Sequence, residues 1–217
     1  PWRSGREVMG LSPDTVAAFA LTSAIIELTP GPNMTWLAVV AVSDGRRAGY
    51  AAVAGVCMGL SVIGLAAAFG MATIIADKPT VYQALRWAGV FYLFWLAWDA
   101  WRDAGAPDVS EPEQATRFFG RGLTTNLLNP KAALFYLAVL PGFVTPGADA
   151  LKATVTLTVI YVMVATLIHA GIVTLAGAAR GLLYDPARER VVRRVLAVAL
   201  ALVAVWFAIA SQADLPA

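Results

Sequence analysis

The chain has 217 residues, of which 59% are hydrophobic and only 14% are charged. Soluble domains carry roughly 25% charged residues, so this composition predicts an integral membrane protein. The formal net charge of +2 is too small to indicate a nucleic-acid partner. A single cysteine, Cys57, and a single histidine, His169, exclude an internal disulfide and argue against a metal site or a histidine-based catalytic site.

Six apolar segments are each close to the roughly 20 residues that cross a bilayer. The segments run over residues 14–43, 49–76, 80–101, 120–144, 152–179 and 191–211. They predict an all-α integral membrane protein with six transmembrane helices and no separate soluble domain. The polar residues 1–8 precede Met9 and are interpreted as an N-terminal extension outside a single domain, 9–217.

Two of these segments contain prolines that interrupt a helix. The first reads Leu-Thr-Pro-Gly-Pro-Asn over residues 28–33, and the fourth reads Asn-Pro-Lys over residues 129–131. Proline lacks a backbone N–H, and a helix break inside a bilayer is tolerated only where it is buried in protein or lines a cavity. Thr29 and Asn129 are good N-caps and the following prolines suit the first helical position, so each pair is predicted to begin a second half-helix.

The chain also repeats itself at an offset of 100 residues. Residues 28–40 correspond to residues 128–140, and the correspondence pairs Pro30 with Pro130 and one aromatic-Leu-Ala-Val run with another. Three spans separate the copies, so the second copy crosses the bilayer in the opposite direction, which indicates an inverted 3+3 repeat with helices 1 and 4 broken. The predicted units are repeat 1 at about 11–102, a cytoplasmic linker at about 103–117 and repeat 2 at about 118–211.

The two breaks are predicted to form a substrate site near the middle of the bilayer. Inversion points two positively polarised helix starts at the midplane, an arrangement that suits a carboxylate.

Glu27 and Lys131 flank the breaks, and a charge at that depth costs roughly 3 kcal/mol, so such residues usually face a cavity. Lys131 is a candidate for binding a substrate carboxylate, and Glu27 for binding an ammonium group or a coupling proton. The alternative is a structural Glu27–Lys131 ion pair. The candidate substrate-binding residues are Thr29, Pro30, Gly31, Pro32, Asn33, Asn126, Asn129, Pro130 and Lys131.

Two further ionisable residues are candidates for coupling or for binding an ammonium group. Asp99 lies among aromatic residues near the predicted inner interface, where pairing with an arginine is the favoured interpretation. His169 lies in the middle of the fifth span, where hydrogen bonding across helices is favoured over a proton relay.

Small and basic residues predict packing and orientation. Small residues of the second span favour helix packing inside the protomer, with a homodimer face as the alternative; they are Gly55, Gly59, Ala66 and Gly70. Arginines concentrate around residues 44–48, 102–121 and 180–194, and basic loops stay cytoplasmic, so both termini are predicted to lie outside.

Together these features resemble the lysine exporter superfamily, and within it the homoserine/threonine (LysE/RhtB-type) amino-acid exporters. The resemblance covers the chain from about Leu11 and rests on residues 28–33, 86–93, 126–135 and 140–144. It implies a multi-pass protein of the bacterial inner membrane that exports small amino acids by secondary active transport driven by protons, without a cofactor. Exporters of this type often carry an acidic residue in the fifth span. Residues 161–169 contain none, which argues against a strongly cationic substrate.

Two alternatives within the membrane classes stay open, and an enzyme is not expected. The first alternative to an amino-acid exporter is an exporter of another small amphipathic metabolite. The second is a membrane subunit without transport activity, which is less in keeping with charges at two helix breaks. An intramembrane enzyme would need a nucleophile with a base, and His169 has no recognisable partner of that kind in the sequence.

Overall fold

The structure is a computed structural model that describes residues 11–29, 31–69, 79–102, 111–145, 149–179 and 186–210. In this part of the chain the helices are joined by short turns, and there is no β-strand. The helices are α1 (Pro13–Leu28), α2 (Pro32–Ser43), α3 (Arg46–Ala68), α4 (Pro79–Arg102), α5 (Glu111–Leu127), α6 (Pro130–Phe143), α7 (Ala150–Ala179) and α8 (Pro186–Ala210). By length and composition α3 and α7 each suffice to cross a membrane, and α1 with α2 makes a third span if the bent pair is counted as one.

The first predicted break is present, but its capping differs from the prediction. Helix α1 ends at Leu28 with Thr29 as its C-cap, and α2 begins at Pro32 with Gly31 as its N-cap. The prediction that Thr29 caps the second half-helix is therefore wrong. The physical reason is that Pro32 occupies the first turn of α2, where proline costs no hydrogen bond, while Thr29 returns its hydroxyl and N–H to carbonyls of α1. Pro30 lies outside the described residues, and the axes of α1 and α2 differ by 61°.

The second predicted break is confirmed in its details. The Asn129 side chain accepts a hydrogen bond of 3.0 Å from the backbone N–H of Lys131, and Pro130 is the first residue of α6. Helix α6 then changes from α-helix to a π-helical turn over Phe135–Val139 and a 3-10 turn over Leu140–Phe143. Pro141 has no N–H for the carbonyl four residues earlier, which accounts for the loss of regular α-helix there.

Helix α3 is the centre of the packing and contacts α5 and α7 at glycines. A Cβ atom on Gly122 would meet the backbone of Ala52, and one on Gly59 would meet the side chain of Asn126. The residue numbers of these contacts rise together along both helices, so α3 and α5 run parallel. Small residues allow this close approach of two backbones.

Contacts of α3 with α7 run in the opposite sense. Gly49 lies against Val173, and Gly64 lies against Thr158. Because the numbers rise along α3 as they fall along α7, the two helices are antiparallel. Helix α8 packs against α4 and α2 and completes the bundle of the described residues.

The small-residue face of α3 is used inside the protomer. Both Gly55 and Gly59 lie against α5, which leaves the homodimer alternative without support from these two residues. Gly70 lies outside the described residues. Ala66 is partly exposed at the far end of the same helix.

Helix α5 begins earlier than the predicted start of repeat 2. Residues 111–117 are helical, although their polarity predicts that they belong to the linker. Pro112 and the acidic Glu111 and Glu113 are residues that favour the first turn of a helix, so this stretch is a polar helix start and not a connector. Residues 103–110 lie outside the described part.

The glycine contacts on α5 predict opposite effects for two neighbouring substitutions. Gly122→Ala places a methyl group against the backbone of Ala52, which no rotamer change relieves, and should lower stability by about 1–3 kcal/mol. A methyl group at Gly120 would have no atom within 4 Å, so Gly120→Ala should be neutral or stabilising by about 0.5–1 kcal/mol. Thermal unfolding of the detergent-solubilised proteins measures both. Equal effects at the two positions would contradict the assigned packing of α3 on α5.

Candidate functional site

Regular spacing on two helices brings the polar residues of the site together. The buried residues of α1 are Phe19, Ser23 and Glu27, which recur every fourth position and so form one face. On α7 the buried Tyr161 and His169 follow the same spacing, two turns apart on the face that packs against α1. Helical periodicity therefore directs Glu27 into the protein interior and not toward lipid.

Glu27 bridges the two α7 residues. The hydroxyl of Tyr161 donates a hydrogen bond of 2.6 Å to Oε1 of Glu27. The Nε2 atom of His169 lies 3.2 Å from Oε2, close enough for an ion pair when the imidazole is protonated, but it is not aligned for a hydrogen bond. Glu27 is 7% exposed, so its carboxylate depends on these groups for stabilisation.

Lys131 joins the two helix breaks. Its Nζ donates a hydrogen bond of 2.9 Å to the backbone carbonyl oxygen of Thr29, at the end of α1. Its Cδ lies 3.5 Å from the position of a Cβ atom on Gly31, so the lysine side chain passes directly over the start of α2. The breaks that sequence spacing pairs at an offset of 100 residues are thus in contact.

Glu27 and Lys131 are not a direct ion pair. Among the described residues the ion-pair partner of Glu27 is His169, while Lys131 bonds to a carbonyl oxygen. The two charges nevertheless line one cavity. The ammonium group of Lys131 and the carboxylate of Glu27 therefore face the same cavity without forming an ion pair with each other.

The central cavity has a volume of about 10 Å³, enough for roughly one water molecule. Its polar lining includes buried groups without a hydrogen-bond partner in the described part of the chain, namely Oδ1 of Asn33, both amide atoms of Asn126 and the ring nitrogens of His169. Buried polar groups are nearly always paired, and leaving one unpaired costs about 1–3 kcal/mol. The lining comprises Glu27, Gly31, Pro32, Asn33, Met34, Leu60, Asn126, Asn129, Lys131, Ala132 and His169.

Asp99 lies away from the central cavity. Its Oδ2 accepts a hydrogen bond of 2.9 Å from Nη2 of Arg117 and another from Nη2 of Arg121. The interpretation that Asp99 pairs with an arginine is confirmed. Asp99 and Glu27 therefore belong to two separate cavities.

Sequence reasoning missed one polar contributor to the site, Tyr161. A tyrosine in an apolar span is usually interpreted as packing or as an interfacial residue. The available signal was its spacing of eight residues from His169, which places both on one helix face, together with an acidic residue on another span in need of donors. In the part of the chain that the structure describes, no group of three or more His, Cys, Asp or Glu side chains is placed to hold a metal ion.

The contacts of Glu27 predict which pairs of substitutions are energetically coupled. Glu27→Gln and Tyr161→Phe remove two ends of one hydrogen bond, so their effects on unfolding free energy should deviate from additivity by about 1–3 kcal/mol. Glu27→Gln and Lys131→Met should be closer to additive, since the hydrogen bond of Glu27 is to Tyr161 and that of Lys131 is to the carbonyl of Thr29. Double-mutant cycles by chemical unfolding in detergent measure both terms. A larger coupling for Glu27 with Lys131 would restore the structural ion pair as the explanation.

Comparison with known proteins places this sequence in a family. The profile of the family described as LysE type translocator matches residues 24–211. The chain is 32% identical over 162 residues to the homoserine/homoserine lactone efflux protein of Salmonella typhi, covering 73% of this chain and 79% of that protein. It is 33% identical over 153 residues to the leucine efflux protein of Klebsiella pneumoniae, covering 65% of this chain and 71% of that protein. No solved structure matches significantly. The chain belongs to the LysE type translocator family and is a membrane transporter, not an enzyme.

Proposed function

We propose that this translocator exports small amino acids and binds each one in the central cavity, between Lys131 and Glu27. Efflux relatives named for homoserine and for leucine support an amino-acid substrate. The observation that carries the proposal is that one ammonium group, one carboxylate and several amide atoms without a partner among the described residues line the same cavity at two helix breaks.

The carboxylate of the substrate would bind on the side of Lys131. The Nζ atom has three hydrogens, and only the bond to Thr29 is formed among the described residues. The start of α2 adds backbone N–H groups, because Gly31 provides no side-chain cap and the N-terminus of a helix is polarised positively. Asn126 supplies an amide N–H group, Nδ2, that has no other partner in the described part.

The ammonium group of the substrate, or a coupling proton, would bind on the side of Glu27. Its carboxylate keeps acceptor sites beyond the single hydrogen bond from Tyr161. His169 lies within ion-pair distance of the same carboxylate. Substrate and proton would then compete for one acidic group, which is the basic requirement for proton-driven exchange.

Binding requires the central cavity to enlarge. A volume that holds roughly one water molecule is too small for an amino acid, so the structure corresponds to a contracted site. Two features allow the walls to move, namely the bend between α1 and α2 and the π-helical turn of α6. Irregular helix at such positions is a recurrent property of functional hinges.

The helix pattern supports six spans built as an inverted repeat. Helices α1 to α4 and α5 to α8 form the same succession, in which a broken pair is followed by two long helices. Exchanging the two sets maps the contact of α1 with α7 onto that of α5 with α3. Spans 2 and 5 are antiparallel and spans 2 and 4 are parallel, as an alternating six-span chain requires.

Basic residues favour one orientation in the membrane. Arg46 donates to the carbonyl of Thr174, and the guanidinium of Arg194 lies 5.2 Å from the ring centroid of Trp101. These contacts put the start of α3 level with the end of α7, and the end of α4 level with the start of α8, and arginines concentrate in both places. The rule that basic residues stay cytoplasmic then places this end inside and both termini outside, in the bacterial inner membrane.

Removing either central charge should strongly reduce export. Lys131→Ala and Glu27→Gln are each expected to lower kcat/KM by roughly 10- to 100-fold, the effect of losing a hydrogen bond to a charged group. Lys152→Ala is the matched control, because Lys152 is exposed and pairs only with Asp149 in the described part. Cells loaded with mixed amino acids report which ones leave faster with the wild-type chain, and that substrate is then used to compare the variants.

One double variant separates binding from scaffolding. If the two charges only stabilise the fold, Glu27→Gln with Lys131→Met should restore both folded yield and export, because no unpaired charge remains. The proposed function requires the double variant to insert normally and still not export. Wild-type export by the double variant would mean that the site is assigned wrongly.

Cysteine labelling tests the orientation. In a Cys57→Ser background, cysteines at Arg46 and Arg194 should resist an impermeant thiol reagent applied to intact cells, while a cysteine at Lys152 should react. Lys152 is the control because its side chain is 67% exposed and lies at the start of α7. Labelling at position 46 or 194 from outside would reverse the proposed orientation.

A further inference from the structure

A second cavity, of about 40 Å³, lies beside α2, α4, α5 and α8. Its lining includes two acidic residues, Asp44 and Asp99, and two basic residues, Arg117 and Arg121. Four ionisable side chains around one cavity are unusual in a chain with 14% charged residues. They balance to no net charge, so an amino-acid zwitterion is matched to this cavity better than an anion or a cation.

The arrangement at Asp99 already resembles a bound carboxylate. Arg117 and Arg121 both donate to the same oxygen, Oδ2, although a guanidinium is able to bind a carboxylate through two parallel hydrogen bonds. The Arg121 side chain is 15% exposed, and its guanidinium carbon lies 5.1 Å from the ring centroid of Trp95. Burial and the aromatic ring thus orient Arg121 toward whichever carboxylate occupies this position.

The second cavity follows the central one along two shared helices. On α2, Asn33 lines the central cavity and Trp36 lines the second. On α5, Asn126 lines the central cavity and Arg121 lines the second. At 1.5 Å per residue, the two residues of each pair are about 5–8 Å apart along their helix, which is roughly the length of one amino acid.

We propose that the second cavity, when it enlarges as the central cavity does, is an antechamber that binds the zwitterionic substrate between the cytoplasm and the central cavity. The proposal rests on amino-acid export through the central cavity. The incoming carboxylate replaces Asp99 on Arg121, and the released Asp99 binds the substrate ammonium. Every charge keeps a partner during this exchange, which avoids the cost of an isolated buried charge.

This ion-pair exchange predicts opposite responses to two substrate analogues. N-acetylleucine has a carboxylate without an ammonium group, and leucinamide has an ammonium group without a carboxylate. In Asp99→Asn the arginines lose their internal competitor, so N-acetylleucine should inhibit transport at roughly ten-fold lower concentration than in wild type. Leucinamide should inhibit Asp99→Asn less than wild type, because its acidic partner is gone.

The test measures initial uptake into inside-out membrane vesicles, which present the cytoplasmic face to the medium. The labelled substrate is leucine or homoserine, whichever the wild-type chain moves faster. Arg121→Gln should raise its KM by roughly ten-fold while changing the maximal rate by less than about two-fold. Arg102→Gln is the charge-matched control, because Arg102 is exposed at the end of α4 and does not line the cavity.

The outcomes separate this proposal from the proposed function. If Asp99→Asn and Arg121→Gln leave the KM and both inhibition profiles like those of Arg102→Gln, the antechamber is wrong while export stands. Equal loss of inhibition by both analogues would also contradict the antechamber. The proposal expects opposite shifts for the two analogues, whereas loss of a purely structural ion pair would affect both in the same way. If Arg121→Gln does not fold, the inhibition of Asp99→Asn by the two analogues is sufficient to test the antechamber. A wild-type chain that moves no amino acid contradicts both proposals.

Discussion

The hydrogen bond from Lys131 to the carbonyl of Thr29 is the interaction on which the rest of the central site depends. A bilayer offers no water to a backbone carbonyl at a helix break, so each break needs an internal partner. Lys131 follows one break and satisfies a carbonyl at the other, and the two discontinuities thereby stabilise each other. The same contact keeps an ammonium group beside the uncapped start of α2, where it attracts a carboxylate.

The acidic half of the site is assembled from two helices that run side by side. Glu27 comes from α1, whereas the groups that surround its carboxylate, Tyr161 and His169, come from α7. Helix α7 contains no acidic residue of its own, and α1 supplies one to it. If substrate binds beside Glu27 as proposed, any motion of α1 relative to α7 changes the binding site.

The prolines made the breaks predictable, because their effect is local and their spacing repeats. The cap at Asn129 followed from the same local chemistry, whereas Thr29 was misassigned because two prolines, at 30 and 32, competed for the helix start. Tyr161 was missed since its role depends on Glu27, which is 134 residues away. Pro141 is a local signal for the irregular end of α6, whereas the second cavity depends on how separate helices pack, which periodicity within a single segment does not record.

The most direct test of substrate binding in the central cavity measures the distance from the substrate carboxylate to Lys131. The chain has three lysines, and replacing Lys78 and Lys152 by arginine leaves Lys131 as the one site for ¹⁵Nζ labelling. Solid-state NMR of the reconstituted protein with ¹³C-carboxyl-labelled substrate then reports the carbon–nitrogen dipolar coupling. We expect a separation of about 4 Å, as in a charge-assisted hydrogen bond. Bound substrate whose carboxyl carbon shows no measurable coupling to this nitrogen would contradict it.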